Sequence, residues 1–120
     1  MQILFEKSEE SSGPGLGLLN GVVLKLPDSV KTPHMGWNTI KILKQNPLLE
    51  GVKGDWYFYF VHSYYACPVN NDLIVAETNY GVTFGSVIAK RNILSTQFHP
   101  EKSGKPGSIV LKNFARIVKR

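Results

Sequence analysis

His99 and Glu101 are the residues whose types and spacing could do chemistry. They stand two apart in Gln97-Phe98-His99-Pro100-Glu101-Lys102-Ser103-Gly104, with one proline between them. In an extended chain, side chains two apart point to the same side. Pro100 fixes its own φ and biases His99 toward extended backbone. The Glu101 carboxylate is therefore expected to reach the His99 imidazole. A carboxylate on one ring nitrogen sets the tautomer and leaves the other nitrogen free as a base. That is two thirds of a nucleophilic triad. The plain alternative is a polar surface turn, because His-Pro-Glu-Lys-Ser-Gly is rich in turn formers.

A nucleophile to complete the triad is not evident. The sequence has a single cysteine, Cys67, within Tyr65-Ala66-Cys67-Pro68. It has no glycine elbow and no following helix, the features that present a nucleophile at a strand-to-helix turn. It reads as a small buried or loop cysteine. One cysteine also excludes an internal disulfide framework and suits a reducing compartment, so the expected location is the cytoplasm.

The elements that must position His99 and Glu101 follow from the chain in order. Residues 1–10 read as a helix that starts without an N-cap, and Ser11-Ser12-Gly13-Pro14-Gly15 ends it. Residues 16–26 read as one or two strands around Gly21. Residues 30–38 begin extended, residues 39–43 alternate as a strand, and residues 45–49 form a short helical turn or loop. Residues 56–65 are the most β-prone stretch, apolar throughout as in a strand buried on both faces. Residues 73–80 and 82–90 read as antiparallel strands joined at Tyr80-Gly81. Residues 93–98 are a further strand leading into the His-Pro-Glu turn. Residues 108–119 read as a closing helix with Ile109, Leu111, Phe114, Ile117 and Val118 as its buried stripe. Helices only at the ends suggest the β-rich later part of an α/β sheet, with leading βα units missing.

Size and charge narrow the function classes. The 120 residues suit one domain, and a 42% hydrophobic content suits a folded core. No apolar run approaches the roughly 20 residues of a membrane span, and no secretory signal opens the chain. The net charge is +5, with Lys102, Lys105, Lys112, Arg116, Lys119 and Arg120 crowded near the end. Such a tail can attract nucleic acid, but it also forms the solvated face of a terminal helix, which is the reading preferred here.

Four separated segments point to one family. Met1-Gln2-Ile3-Leu4-Phe5-Glu6 with Ser8-Glu9, Pro33-His34-Met35-Gly36-Trp37-Asn38, Tyr57-Phe58-Tyr59-Phe60-Val61-His62-Ser63-Tyr64-Tyr65, and Gln97-Phe98-His99-Pro100-Glu101-Lys102-Ser103 resemble class I glutamine amidotransferases. The second and third are more specific, resembling the glutaminase subunits of imidazole glycerol phosphate synthase in histidine biosynthesis. The His-Pro-Glu turn is shared across the whole class. The resemblance runs from the first residue to about Ala115.

What the resemblance implies can be stated residue by residue. The fold would be the α/β, mixed β-sheet of the class I glutamine amidotransferases, flanked by helices. His99 matches the family's base and acid, and Glu101 the group that orients it. Gln2 matches a residue holding the substrate glutamine. Ser63 and Tyr64 match the segment whose backbone holds the substrate's amino-acid end. Trp37, Asn38, Tyr59 and Lys102 match positions near the face that meets a (β/α)8-barrel cyclase partner. No cofactor, metal, nucleic acid or membrane is implied. In the family the nucleophilic cysteine lies in a Gly-x-Cys-Leu-Gly run directly before the matching Met-Gln. The expectation is therefore a C-terminal portion of the subunit, inactive alone.

Read without the resemblance, Gln2 could be an ordinary exposed helix residue and Trp37 and Tyr59 plain core aromatics. His34 and His62 could be satisfied buried histidines. A non-catalytic remnant of the same family that still contacts the cyclase is one alternative, and two other classes compete. His34, His62, His99 and Glu101 could ligate zinc or iron on a β-rich chain, although no tight His-x-His pair is present. A nucleic-acid module could use the basic tail and aromatics, but the run at 56–65 is too continuously apolar for a stacking surface.

Overall fold

The computed structural model describes residues 5–8, 19–91 and 93–119, with side chains from residue 21 onward. Nine strands and one long helix appear among them. The strands are β1 (Phe5–Ser8), β2 (Leu19–Lys25), β3 (His34–Thr39), β4 (Lys41–Ile42), β5 (Tyr57–His62), β6 (Tyr64–Pro68), β7 (Ile74–Asn79), β8 (Thr83–Lys90) and β9 (Ile93–Thr96). Helix α1 (Gly104–Val118) closes the order. Single 3-10 turns lie at Pro47–Leu49, Asn71–Leu73 and Pro100–Lys102.

The strands form three sheets: β1-β2-β6, β3-β5 and β4-β7-β8-β9. The first is mixed, with β1 parallel to β2 and β2 antiparallel to β6. All other pairings among the described residues are antiparallel, with short connections between β7 and β8 and between β8 and β9. The expected α/β, mixed-sheet architecture is therefore present, with one correction at the start. Phe5–Ser8 is a strand paired with β2, in register Phe5↔Leu19 and Ser8↔Val23, and not the body of a helix. A helix of about ten residues is marginal by itself, and pairing with β2 offers the same backbone groups a ladder.

The aromatic run at 56–65 is also two strands with a bend at Ser63, not one strand buried on both faces. In β5 burial alternates: Phe58, Phe60 and His62 point inward, while Tyr57, Tyr59 and Val61 point outward. The period of two is present, but the outward Tyr57, Tyr59 and Val61 are as aromatic or apolar as the inward side chains, which hides it from a reading of hydrophobicity.

Phe58 and Phe60 join Ile40, Leu48, Leu49, Val75, Phe84, Val87, Phe98 and Val110 in the main core. Phe98 packs on Phe58 at a centroid distance of 4.4 Å and meets Phe60 edge-on at 5.9 Å. This anchors the segment that leads into His99.

Helix α1 is rotated from the expected stripe. Its buried residues are Gly107, Val110 and Asn113, with Ile109 and Ile117 half-buried. Leu111, Phe114 and Val118 are exposed. Gly107 decides the rotation: a Cβ there would lie 1.9 Å from the Pro100 carbonyl oxygen, so only glycine allows the helix this close. Asn113 Nδ2 completes the seat by donating to the Leu48 and Glu50 carbonyls at 2.9 and 2.8 Å. The basic residues from Lys102 to Lys119 that the expectation placed on a solvated face are exposed.

Candidate active site

The His99 turn is built where three elements meet. After β9, Gln97 N–H donates to Ser86 O on β8 at 2.8 Å, and His99 N–H donates to Tyr59 O on β5 at 2.9 Å. The chain thus crosses from the four-stranded sheet to the β3-β5 pair, with Phe98 buried between. Pro100 starts a 3-10 turn, and Lys102 N–H donates back to His99 O at 3.0 Å.

His99 and Glu101 are brought together as the sequence suggested. His99 Nδ1 donates to Glu101 Oε2 at 3.1 Å. The backbone reason differs from the expectation. His99 is extended at φ −98° and ψ 100°, but Glu101 sits inside the 3-10 turn. The carboxylate therefore reaches Nδ1 from within the turn and not along a strand. The carboxylate fixes hydrogen on Nδ1 and leaves the Nε2 lone pair free to take a proton. Glu101 is held below the usual carboxylate range, first by a hydrogen bond from its own backbone amide and then by His99.

Ser103 is a contributor that sequence reasoning missed. Its hydroxyl donates to His99 O at 2.6 Å and accepts from Tyr59 N–H at 2.9 Å. The side chain is fully buried. A serine just before a helix suggests an N-cap, yet Ser103 makes no capping bond. The hydroxyl instead clamps the His99 turn to β5.

The remaining predicted residues fall in two places. Trp37 and Tyr59 are cross-strand partners in β3-β5 and meet edge-on at 5.6 Å. Trp37 is 55% exposed, so it is not a core aromatic. Asn38 lies on the same strand, half-buried, with Nδ2 donating to Asn79 O at 3.1 Å. Lys102 is exposed beside the His99 turn. Ser63 and Tyr64 form the bend between β5 and β6, where Leu26 N–H donates to Ser63 O at 2.9 Å. Gln2 lies outside the described residues.

His34 and His62, distant in sequence, are adjacent: Nδ1 of His34 and Nε2 of His62 are 2.9 Å apart and hydrogen bonded. Their facing nitrogens are occupied by each other. Among the described residues no group of three or more His, Cys, Asp or Glu side chains is placed to hold a metal ion. Cys67 is half-buried on β6, and burial pushes its thiol pKa up, the opposite of what an activated nucleophile needs. Among the described residues no helix is long and apolar enough to cross a membrane.

Comparison with known proteins decides the family. The sequence matches the family described as glutamine amidotransferase class-I over residues 1–118. The chain belongs to the class I glutamine amidotransferases. Its amidotransferase relatives include the imidazole glycerol phosphate synthase subunit HisH of Methanocaldococcus jannaschii, 56% identical over 98% of this chain and 60% of the relative. The subunit of the same name from Methanothermobacter thermautotrophicus is 52% identical over 99% of this chain and 60% of the relative. The chain thus spans about 60% of the length of these curated relatives. A crystal structure of a putative GMP synthase subunit from Thermoplasma acidophilum superposes with a TM-score of 0.62. It is 20% identical, and the match covers 83% of this chain and 53% of that one, a likeness of fold.

Proposed function

We propose that this amidotransferase chain is the C-terminal part, residues 1–120, of the glutaminase subunit of a cytoplasmic imidazole glycerol phosphate synthase, acting in histidine biosynthesis. The observation that carries the reading is the His99–Glu101 pair at 3.1 Å, clamped by Ser103 to β5, in a chain about half identical to HisH subunits along nearly its whole length.

The chemistry assigned to His99 is proton transfer. His99 Nε2 takes the thiol proton of a cysteine from a segment outside these 120 residues, and the resulting thiolate attacks the side-chain amide carbon of glutamine. The carbon–nitrogen bond breaks, His99 Nε2 delivers its proton to the departing nitrogen, and a thioester remains. Ammonia leaves; water then attacks the thioester carbon, His99 Nε2 takes the water's proton, the carbon–sulfur bond breaks, the proton returns to the departing sulfur and glutamate leaves. Glu101 holds the ring oriented through both steps and stabilises its charged form. Gln2 and the Ser63-Tyr64 bend hold the substrate.

The outer face of β3-β5, with Trp37 and Tyr59, the neighbouring Lys102, and Asn38 beside Trp37 on β3, meet the barrel cyclase. Exposed Met35, Trp37 and Tyr57 on that face give it the apolar, aromatic character of a docking surface. Ammonia passes through the partner to its phosphorylated substrate without meeting bulk water, where it would be protonated.

The test is glutamate release in the presence of the cyclase and its nucleotide ligand. It compares the 120-residue chain with one extended upstream through a Gly-x-Cys-Leu-Gly segment. The expected result is release by the extended chain alone. Release by the 120-residue chain would overturn the assignment of an external nucleophile and return attention to Cys67.

A further inference from the structure

Side chains of β3 and β5 form one hydrogen-bonded line, and its two ends fix the proton on every ring. At one end the Tyr64 carbonyl can only accept, so His62 Nδ1 carries hydrogen and donates to it at 2.8 Å. Burial lowers the His62 pKa, outweighing the Tyr64 hydrogen bond that raises it, and the nearby His99 lowers it further, which favours the neutral ring. Its Nε2 is then a bare acceptor, and His34 Nδ1, 2.9 Å away, must donate. At the other end Asn38 Oδ1 accepts the Thr39 amide at 2.8 Å, which turns Nδ2 toward Asn79 O and toward His34 Nε2 at 3.4 Å. Both ends independently demand the same His34 tautomer, with hydrogen on Nδ1 and a lone pair on Nε2.

Packing holds the line in place. His34 is 3% exposed, and its ring is stacked between Tyr80 at 3.9 Å and Phe60 at 4.9 Å. His34 and His62 are direct cross-strand partners. Residues four apart on a regular strand stand about 13 Å apart. Asn38 Nδ2 nevertheless stands 3.4 Å from His34 Nε2, with Gly36 at φ +134° between them on β3. The bend beyond His62 has both carbonyls occupied: Ser63 O by Leu26 N–H and Tyr64 O by His62. Its peptide planes cannot turn without breaking one of these bonds.

We propose that His34 and His62 are positioning residues for the glutaminase reaction, their hydrogen-bonded line setting the peptide planes of the Ser63-Tyr64 bend that grips the substrate's amino-acid end. This rests on the substrate-holding role given to that bend above. The line also ties the bend to Asn38 on the partner-facing strand.

The test uses the extended subunit in complex with the cyclase. His34→Phe keeps a ring between Tyr80 and Phe60 but cannot donate to His62. His34→Asn places an amide nitrogen near the position of Nδ1 and restores a donor. His34→Phe is expected to raise the KM for glutamine about tenfold, the effect of losing roughly one buried hydrogen bond, with kcat changed much less. His34→Asn should recover part of that loss. Nitrogen-15 histidine spectra of the unsubstituted subunit should show both His34 and His62 protonated on Nδ1 alone. Normal activity with an unmoved KM in a folded His34→Phe variant overturns this inference alone, as does an Nε2-protonated His62 in the unsubstituted subunit. An unsubstituted complex that releases no glutamate overturns the reading of the site and this inference with it.

Discussion

Single side chains decide both the chemistry and its acid limit. The Ser103 hydroxyl is the most direct target, since it touches His99 and Tyr59 at once. Ser103→Ala leaves the Tyr59 N–H unpaired, which costs about 1–3 kcal/mol. It also frees the His99 turn. The expected outcome is a lower melting temperature together with a reduced kcat for glutamate release; an unchanged kcat would limit Ser103 to stability. His34 sets a different prediction. Burial, aided by His62, lowers its pKa to about 4, against 6.5 in an unfolded chain. Between those values the unfolded chain binds more protons, so stability falls as pH drops. His62 shifts the same way, and Tyr80 and His62 are the titratable side chains against the His34 ring. Going from near pH 7 to about pH 5 should cost the extended subunit roughly 2 kcal/mol through His34. Thermal unfolding at the two pH values measures this, and the slope should flatten in His34→Phe. A slope unaltered by that substitution would contradict the account.

At the scale of elements, the seating of α1 on the His99 turn is the critical contact. Gly107→Ala drives a methyl into the Pro100 carbonyl, so either the helix or the turn must move. The expected result is lower stability by about 1–3 kcal/mol and weakened glutaminase activity, because the displaced turn carries Glu101. Full activity and an unchanged melting temperature would show that the helix seat is loose. Much of this level was legible in the sequence. The His99–Glu101 pairing was readable from residue types, as were the closing helix, the β7-β8 pair and the exposed basic tail. The start was not: Phe5–Ser8 joins β2 through backbone bonds that leave no local pattern in four residues. The α1 stripe was misread because apolar residues were counted, while contact depended on a small Gly107 and a polar Asn113. His34 and His62 were legible as satisfied buried histidines, which they are; their pairing with each other, and the Ser103 clamp, were missed because the partners lie far off in sequence and are reached only through tertiary pairing.

For the whole molecule, the outward face of β3-β5 is the feature that asks for a partner. Met35, Trp37 and Tyr57 are each more than half exposed there, a concentration that a solitary soluble surface avoids. The 120 residues expressed alone are expected to self-associate or to require the cyclase; a monodisperse, cooperatively melting monomer would contradict this. Trp37→Ala in the extended subunit should weaken cyclase binding by about 2 kcal/mol or more, as for a central aromatic anchor, without changing the fold. The central claim is that His99 moves the proton, and one measurement reaches it directly: kcat for glutamate release by the extended subunit with its cyclase, before and after His99→Ala. A loss of at least about 100-fold, with the complex still assembled, is the predicted result. Activity within a few-fold of the unsubstituted subunit would mean that another group does this work and that the His99–Glu101 pair is only a surface turn.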